Sequence, residues 1–148
     1  MKLLDLYEWI AGSMSSFTKP FQENEALFNQ AKAFWRHLEG STMITIAIFV
    51  VLGILLAAIY YKPYNDKPGR HYRPTHWLFF MIGTFVLTLL VTWGYEYVAV
   101  KPVLKGALML EFKVALGNAI YATGLFLLTS LVWCNTPLPT NAYKLFKF

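Results

Sequence analysis

Charge is scarce in this sequence, and unevenly so. Asp, Glu, Lys and Arg make up 14% of the 148 residues, against roughly a quarter in soluble domains. Gly40 to Tyr61, Pro74 to Tyr95 and Val114 to Tyr143 contain none of the four. That distribution excludes an ordinary soluble domain, which has no use for uninterrupted apolar runs of this length. Cysteine is nearly absent too. Cys134 stands alone in the sequence, so an intrachain disulfide is excluded. A glycine-rich phosphate loop, a nucleophile elbow and an HExxH pair are also missing, which closes those routes to catalysis. Met1-Lys2 is no myristoylation start, and YKLFKF lacks a prenylation cysteine. Asp5 and Glu8 interrupt what would be the apolar core of a cleavable signal.

What is abundant is apolar surface, at 57% of residues. About 20 such residues, rising 1.5 Å each, cross the ~30 Å hydrocarbon core of a bilayer. The runs predict membrane helices over residues 42–61, 77–100 and 114–134. They are continuous rather than alternating, which excludes a β-barrel. The fold class expected is therefore an all-α integral membrane protein with three transmembrane helices.

Two amphipathic helices are expected ahead of the spans, within residues 1–40. In the first, Leu3, Leu6, Tyr7, Ile10, Met14 and Phe17 share a face opposite Lys2, Asp5 and Glu8. Lys19-Pro20 ends it, because the residue before proline is biased away from helix. In the second, from Asn24 to Leu38, the apolar face is Leu27, Ala31, Phe34, Trp35 and Leu38. Both suit a membrane interface. Gly40 is a predicted stop, with Ser41 or Thr42 opening the first span. Pro102 can start a helix that continues through VLKGALMLEFKVALG into the third span. Residues 136–148 form a short interfacial tail.

The net charge of +5 is dispersed into segments flanking the apolar runs. It points to topology and anionic headgroups rather than nucleic acid. Lys62, Lys67, Arg70 and Arg73 in the first loop are the expected headgroup contacts. Basic residues divide six against seven between the two sides, and the compact first loop is the densest cluster. Density assigns that loop and the C-terminus to the cytoplasmic side of a plasma or bacterial inner membrane.

Thr84, Thr88, Thr92 and Glu96 recur every fourth residue through the second span. Such residues form one oblique ridge on a helix. It either packs against another helix or lines a pore with Glu96 at the mouth. Gly53 with Ala57, and Gly117 with Gly124, supply thin faces for helix packing. Asn118 and Asn135 add polar groups that need partners.

His71 and His76 lie near Asp66, but no ligand spacing supports a zinc site with His37 or Cys134. No metal or cofactor is expected. The segment RHYRPTH, residues 70–76, resembles the arginine–histidine pattern of HEPN ribonucleases, with Arg70 and His76 at the matching positions. That family carries its motif on a soluble helical bundle, whereas Pro74 here breaks the segment between two apolar runs. No nuclease is implied.

The loops are too short to wall an aqueous site, so an enzyme is not expected. The expected function is a self-assembling membrane protein that forms or gates an ion-permeable path, with membrane disruption as one such role. The alternative is a non-catalytic anchor or assembly subunit of a larger membrane complex. Expected partners are lipids and either further copies or other membrane subunits. A small-solute transporter is a third reading, without an inverted repeat to support it.

Overall fold

The computed structural model describes residues 3–67, 74–100, 104, 106–138, 140, 142 and 144–146. Helix accounts for 86% of it, with no strand among the described residues, so the fold class is all-α. Short turns lead in: a 3-10 turn Leu3–Tyr7, α1 (Glu8–Ala11), α2 (Met14–Thr18) and a 3-10 turn Lys19–Phe21. Three long helices follow: α3 (Glu25–Ile59), α4 (Pro74–Val100) and α5 (Ala107–Asn135). All three are long and apolar enough to cross a membrane.

The boundaries follow from local chemistry. Asn24 Oδ1 accepts from the backbone N–H groups of Ala26 and Leu27 at 3.1 and 3.2 Å, capping α3. Pro74 is the first residue of α4, where a missing N–H costs nothing. At the far end of α3 the chain passes into a π-helical turn, Tyr60–Tyr64, which contains Pro63. The proline has no N–H to continue the α pattern.

Three expectations need correction. Gly40 does not stop a helix: the second amphipathic stretch and the first span are one 35-residue helix. Ser41 and Thr42 do not cap a new start, because they sit inside the helix with their hydroxyls 2.8 and 3.0 Å from the Leu38 carbonyl oxygen. The first amphipathic stretch is not one helix, since Gly12 takes φ +81° between α1 and α2 and Ser13 caps the next turn. Pro102, the expected start of the third helix, lies outside the described residues. The helix that is described starts at Ala107, after Gly106 turns the chain with φ +90°.

By its contacts the chain divides into two compact units. The first is Met1–Ala47 with Leu89–Asn118, and the second is Ile48–Thr88 with Ala119–Phe148. In the first, Ala31, Phe34, Trp35 and Leu38 of α3 are buried, and the Phe17 ring lies 5.8 and 5.9 Å from those of Phe34 and Trp35. Leu27, assigned to the same face, is exposed. The apolar face read as interfacial thus packs inside its own unit. Gly117 lets the N-terminal turns approach: a Cβ there would sit 3.1 Å from Tyr7 Cδ1 and 3.2 Å from Ile10 Cγ2.

In the second unit, Ala57, Tyr60, Tyr61, Trp77, Phe126, Cys134 and Ala142 form the core. A Cβ at Gly53 would lie 2.8 Å from the Ala122 carbonyl oxygen, so α3 and α5 touch backbone to backbone there. The tail is part of this core. Phe146 packs edge-on to Trp77 at 5.4 Å, and the Thr140 hydroxyl donates to the Tyr61 carbonyl at 2.5 Å.

Candidate functional site

The first unit buries more polar chemistry than a helical core needs. α3 presents Leu38, Ser41, Thr42 and Thr45 on one buried face, the spacing of neighbours on a helix surface. Opposite them, α4 brings Thr92 and Glu96, and α5 brings Glu111, Val114, Ala115 and Asn118, all buried.

Glu96 is fully buried and held by hydroxyls. Ser41 Oγ lies 3.0 and 2.9 Å from its two carboxyl oxygens, and Thr45 Oγ1 lies 2.5 Å from Oε1. Asn118 ties the next layer together. Its Nδ2 donates to the Thr45 carbonyl at 3.0 Å and to Thr92 Oγ1 at 2.7 Å. Its Oδ1 accepts from the Tyr7 hydroxyl at 2.8 Å. One connected network therefore joins the N-terminal turn, α3, α4 and α5.

Glu111 is different. It is fully buried, and among the described residues neither carboxyl oxygen has a hydrogen-bond partner. Among the described residues no basic side chain pairs with either carboxyl. A buried carboxylate without donors or counter-charge costs several kcal/mol even after relaxation. Ionisable groups buried in membrane helices mark ion pathways and proton relays.

The structure places the predicted residues as follows. Thr92 and Glu96 meet in the first unit. Thr84 and Thr88 belong to the second, also fully buried. Thr84 donates to the Phe80 carbonyl at 2.8 Å, while the Thr88 hydroxyl has no partner. All four ridge side chains thus point into the chain's own packing. Gly53, Ala57 and Gly117 sit at tight or buried contacts. Gly124 does not: nothing lies within 4 Å of a Cβ built there, and it borders an apolar groove of about 340 Å³ with Leu127, Leu128, Leu131 and Phe146. Lys62 and Lys67 are exposed, and Lys62 pairs with Asp66 at 2.8 Å. Arg70, Arg73 and His71 lie outside the described residues. The His76 ring packs edge-on to Tyr64 at 5.9 Å. Asn135 Nδ2 donates to the Leu131 and Phe146 carbonyls at 2.9 and 2.8 Å. No group of three or more His, Cys, Asp or Glu is placed to hold a metal among the described residues.

Sequence reasoning missed Glu111, Ser41 and Thr45 as site members. A signal existed for the first: Glu111 and Asn118 are seven apart, with Ala115 between them, so all three share one face of α5.

The class defined is an all-α chain with three helices apolar enough to span a membrane and a buried pair of carboxyls. No known protein family, curated protein or solved structure gives a significant match to it.

Proposed function

We propose that this chain is a multi-pass protein of a plasma or bacterial inner membrane that moves a cation, with Glu96 and Glu111 as its ion site. The observation that carries the reading is Glu111, a buried carboxyl without a hydrogen-bond partner among the described residues, in the same unit as the buried Glu96. A structural ion pair would bring a lysine or arginine, and a structural carboxyl would bring donors. Neither is found at Glu111 among the described residues, and an exchangeable cation would supply the missing partner. Because Thr92 and Glu96 face inward within the first unit, this reading puts the ion site inside one protomer. A ring of protomers is not needed to supply its lining, and self-association, if present, uses other faces.

The test is cation flux into liposomes holding the purified chain. Wild type is expected to dissipate an imposed gradient, and Glu96→Gln or Glu111→Gln to slow it about tenfold or more, as for ionisable groups on an ion route. Equal flux through all three would sink the reading.

A second reading keeps the anchor or assembly subunit. It is favoured by the apolar groove at Gly124, Leu127, Leu128, Leu131 and Phe146, which suits a helix of another membrane subunit. On that reading the wild type passes no ion, and Gly124→Leu removes it from its complex.

A further inference from the structure

We propose that the ion held by the Glu96–Glu111 pair is the proton, and that Ser41 and Thr45 are rotating hydroxyls that fit Glu96 with or without it. This rests on the ion-site reading above and adds the identity of the ion.

Each hydroxyl has one hydrogen and two kinds of acceptor in reach. Ser41 Oγ is 2.8 Å from the Leu38 carbonyl oxygen and 2.9 Å from Glu96 Oε2. Thr45 Oγ1 is 3.2 Å from the Ser41 carbonyl oxygen and 2.5 Å from Glu96 Oε1. Hydroxyl hydrogens rotate to suit their surroundings. When Glu96 is a carboxylate, both hydroxyls donate to it. When Glu96 carries a proton, its O–H donates to a hydroxyl oxygen, and that hydroxyl turns its hydrogen to the helix carbonyl behind it. Neither state moves a heavy atom or strands a donor.

Glu111 completes the exchange. Its O–H bond breaks and the electron pair stays on Glu111 as carboxylate, while a new O–H bond forms on Glu96. The pair keeps one negative charge throughout. The two carboxyls are not hydrogen-bonded to each other, and on this proposal side-chain rotation or water carries the proton between them.

A metal ion fits the same oxygens poorly. Two oxygens at right angles on a calcium-sized ion, each 2.3–2.6 Å from it, stand about 3.4 Å apart. The Ser41 and Thr45 oxygens stand 2.5 to 3.0 Å from Glu96, which is hydrogen-bond length. Asn118 turns its Nδ2, a donor, toward Thr45 and Thr92, while its Oδ1 faces the Tyr7 hydroxyl. Among the described residues the titratable groups of this network are Glu96 from α4 and, through Asn118, Tyr7 from the N-terminal turn, with Glu111 of α5 buried in the same unit. The groups from α3 that reach Glu96 are hydroxyls.

The experiment uses the full chain in liposomes with a pH dye inside and sodium, potassium or choline outside. Proton flux is expected to be the same with all three cations. Ser41→Ala with Thr45→Val should slow it about tenfold, as loss of a proton-relay partner does, and Ser41→Thr with Thr45→Ser should restore it. Infrared difference spectra of the wild type as pH is stepped should show a titrating carboxylic C=O band that Glu96→Gln with Glu111→Gln removes. Flux that follows sodium or potassium overturns the proton and leaves the ion site standing. No flux of any cation from folded wild type, with no titrating band, overturns both.

Discussion

The hydroxyl of Tyr7 donates to Oδ1 of Asn118 at 2.8 Å, joining residues 111 positions apart inside one buried network. The bond fastens the N-terminal turn to α5. It also orients the Asn118 amide, with its oxygen toward Tyr7 and its nitrogen toward Thr45 and Thr92. Tyr7→Phe leaves that oxygen buried without a donor. Thermal unfolding in detergent should show a loss of about 1–3 kcal/mol, the usual cost of an orphaned buried acceptor. Asn118→Ala should cost more, because it removes three bonds at once.

Gly117 sets how near the N-terminal turns come. Its added Cβ would meet Tyr7 and Ile10 at 3.1 and 3.2 Å. Gly117→Leu should therefore release the segment up to Phe21, read as faster proteolysis there. Gly117→Ala asks the neighbours to shift only slightly and should be much milder. Unchanged proteolysis in the leucine variant would show that the turns are not held by α5.

Gly53 and Gly124 form a matched pair of tests in the second unit. At Gly53 a Cβ runs into the Ala122 carbonyl oxygen at 2.8 Å and Leu125 Cβ at 2.9 Å. Gly53→Ala should destabilise by about 1–3 kcal/mol, as overpacking does. At Gly124 the space is open, so Gly124→Ala should be neutral or stabilising by up to about 1 kcal/mol through helix propensity.

Cys134 is buried beside the Tyr61 hydroxyl, with Sγ at 3.4 Å from it. A polar maleimide should label the native protein slowly and the denatured protein at once, followed by mass. Fast labelling of the native chain would mean that the second-unit core opens.

The exposed pair Lys62–Asp66 should matter little. Asp66→Asn is expected to change stability by no more than about 1 kcal/mol and to lose even that in high salt. A larger loss would mean that the ion pair organises the loop.

Much of the fold was legible in the residues themselves. The three uncharged runs became α3, α4 and α5, since apolar length alone decides what can cross a bilayer. The period-four ridge is buried at all four positions, because side chains four apart share a helix face whatever lies opposite. The start of α3 near Asn24 was legible from its amphipathic pattern, and the structure adds the side-chain cap. The site was half legible: Glu96 stood out as the charge ending the ridge, and Asn118 as an amide needing partners.

Tertiary structure decided the rest. Whether Ser41 and Thr42 cap a helix or turn inward within one depends on what faces them, and Glu96 is 51 to 55 positions away in sequence from the residues that hold it. Glu111 gave little warning because a lone acid beside Lys113 reads as a wet helix end. Only the packing of α5 shows that it is buried without a partner. The physical reason is that α4 and α5 are apolar nearly all round. Composition then marks them as helices for a membrane, but it carries too weak a periodic signal to say which side of each meets its neighbours. That choice rests on contacts distant in sequence, such as Tyr7 with Asn118 and Gly53 with Ala122.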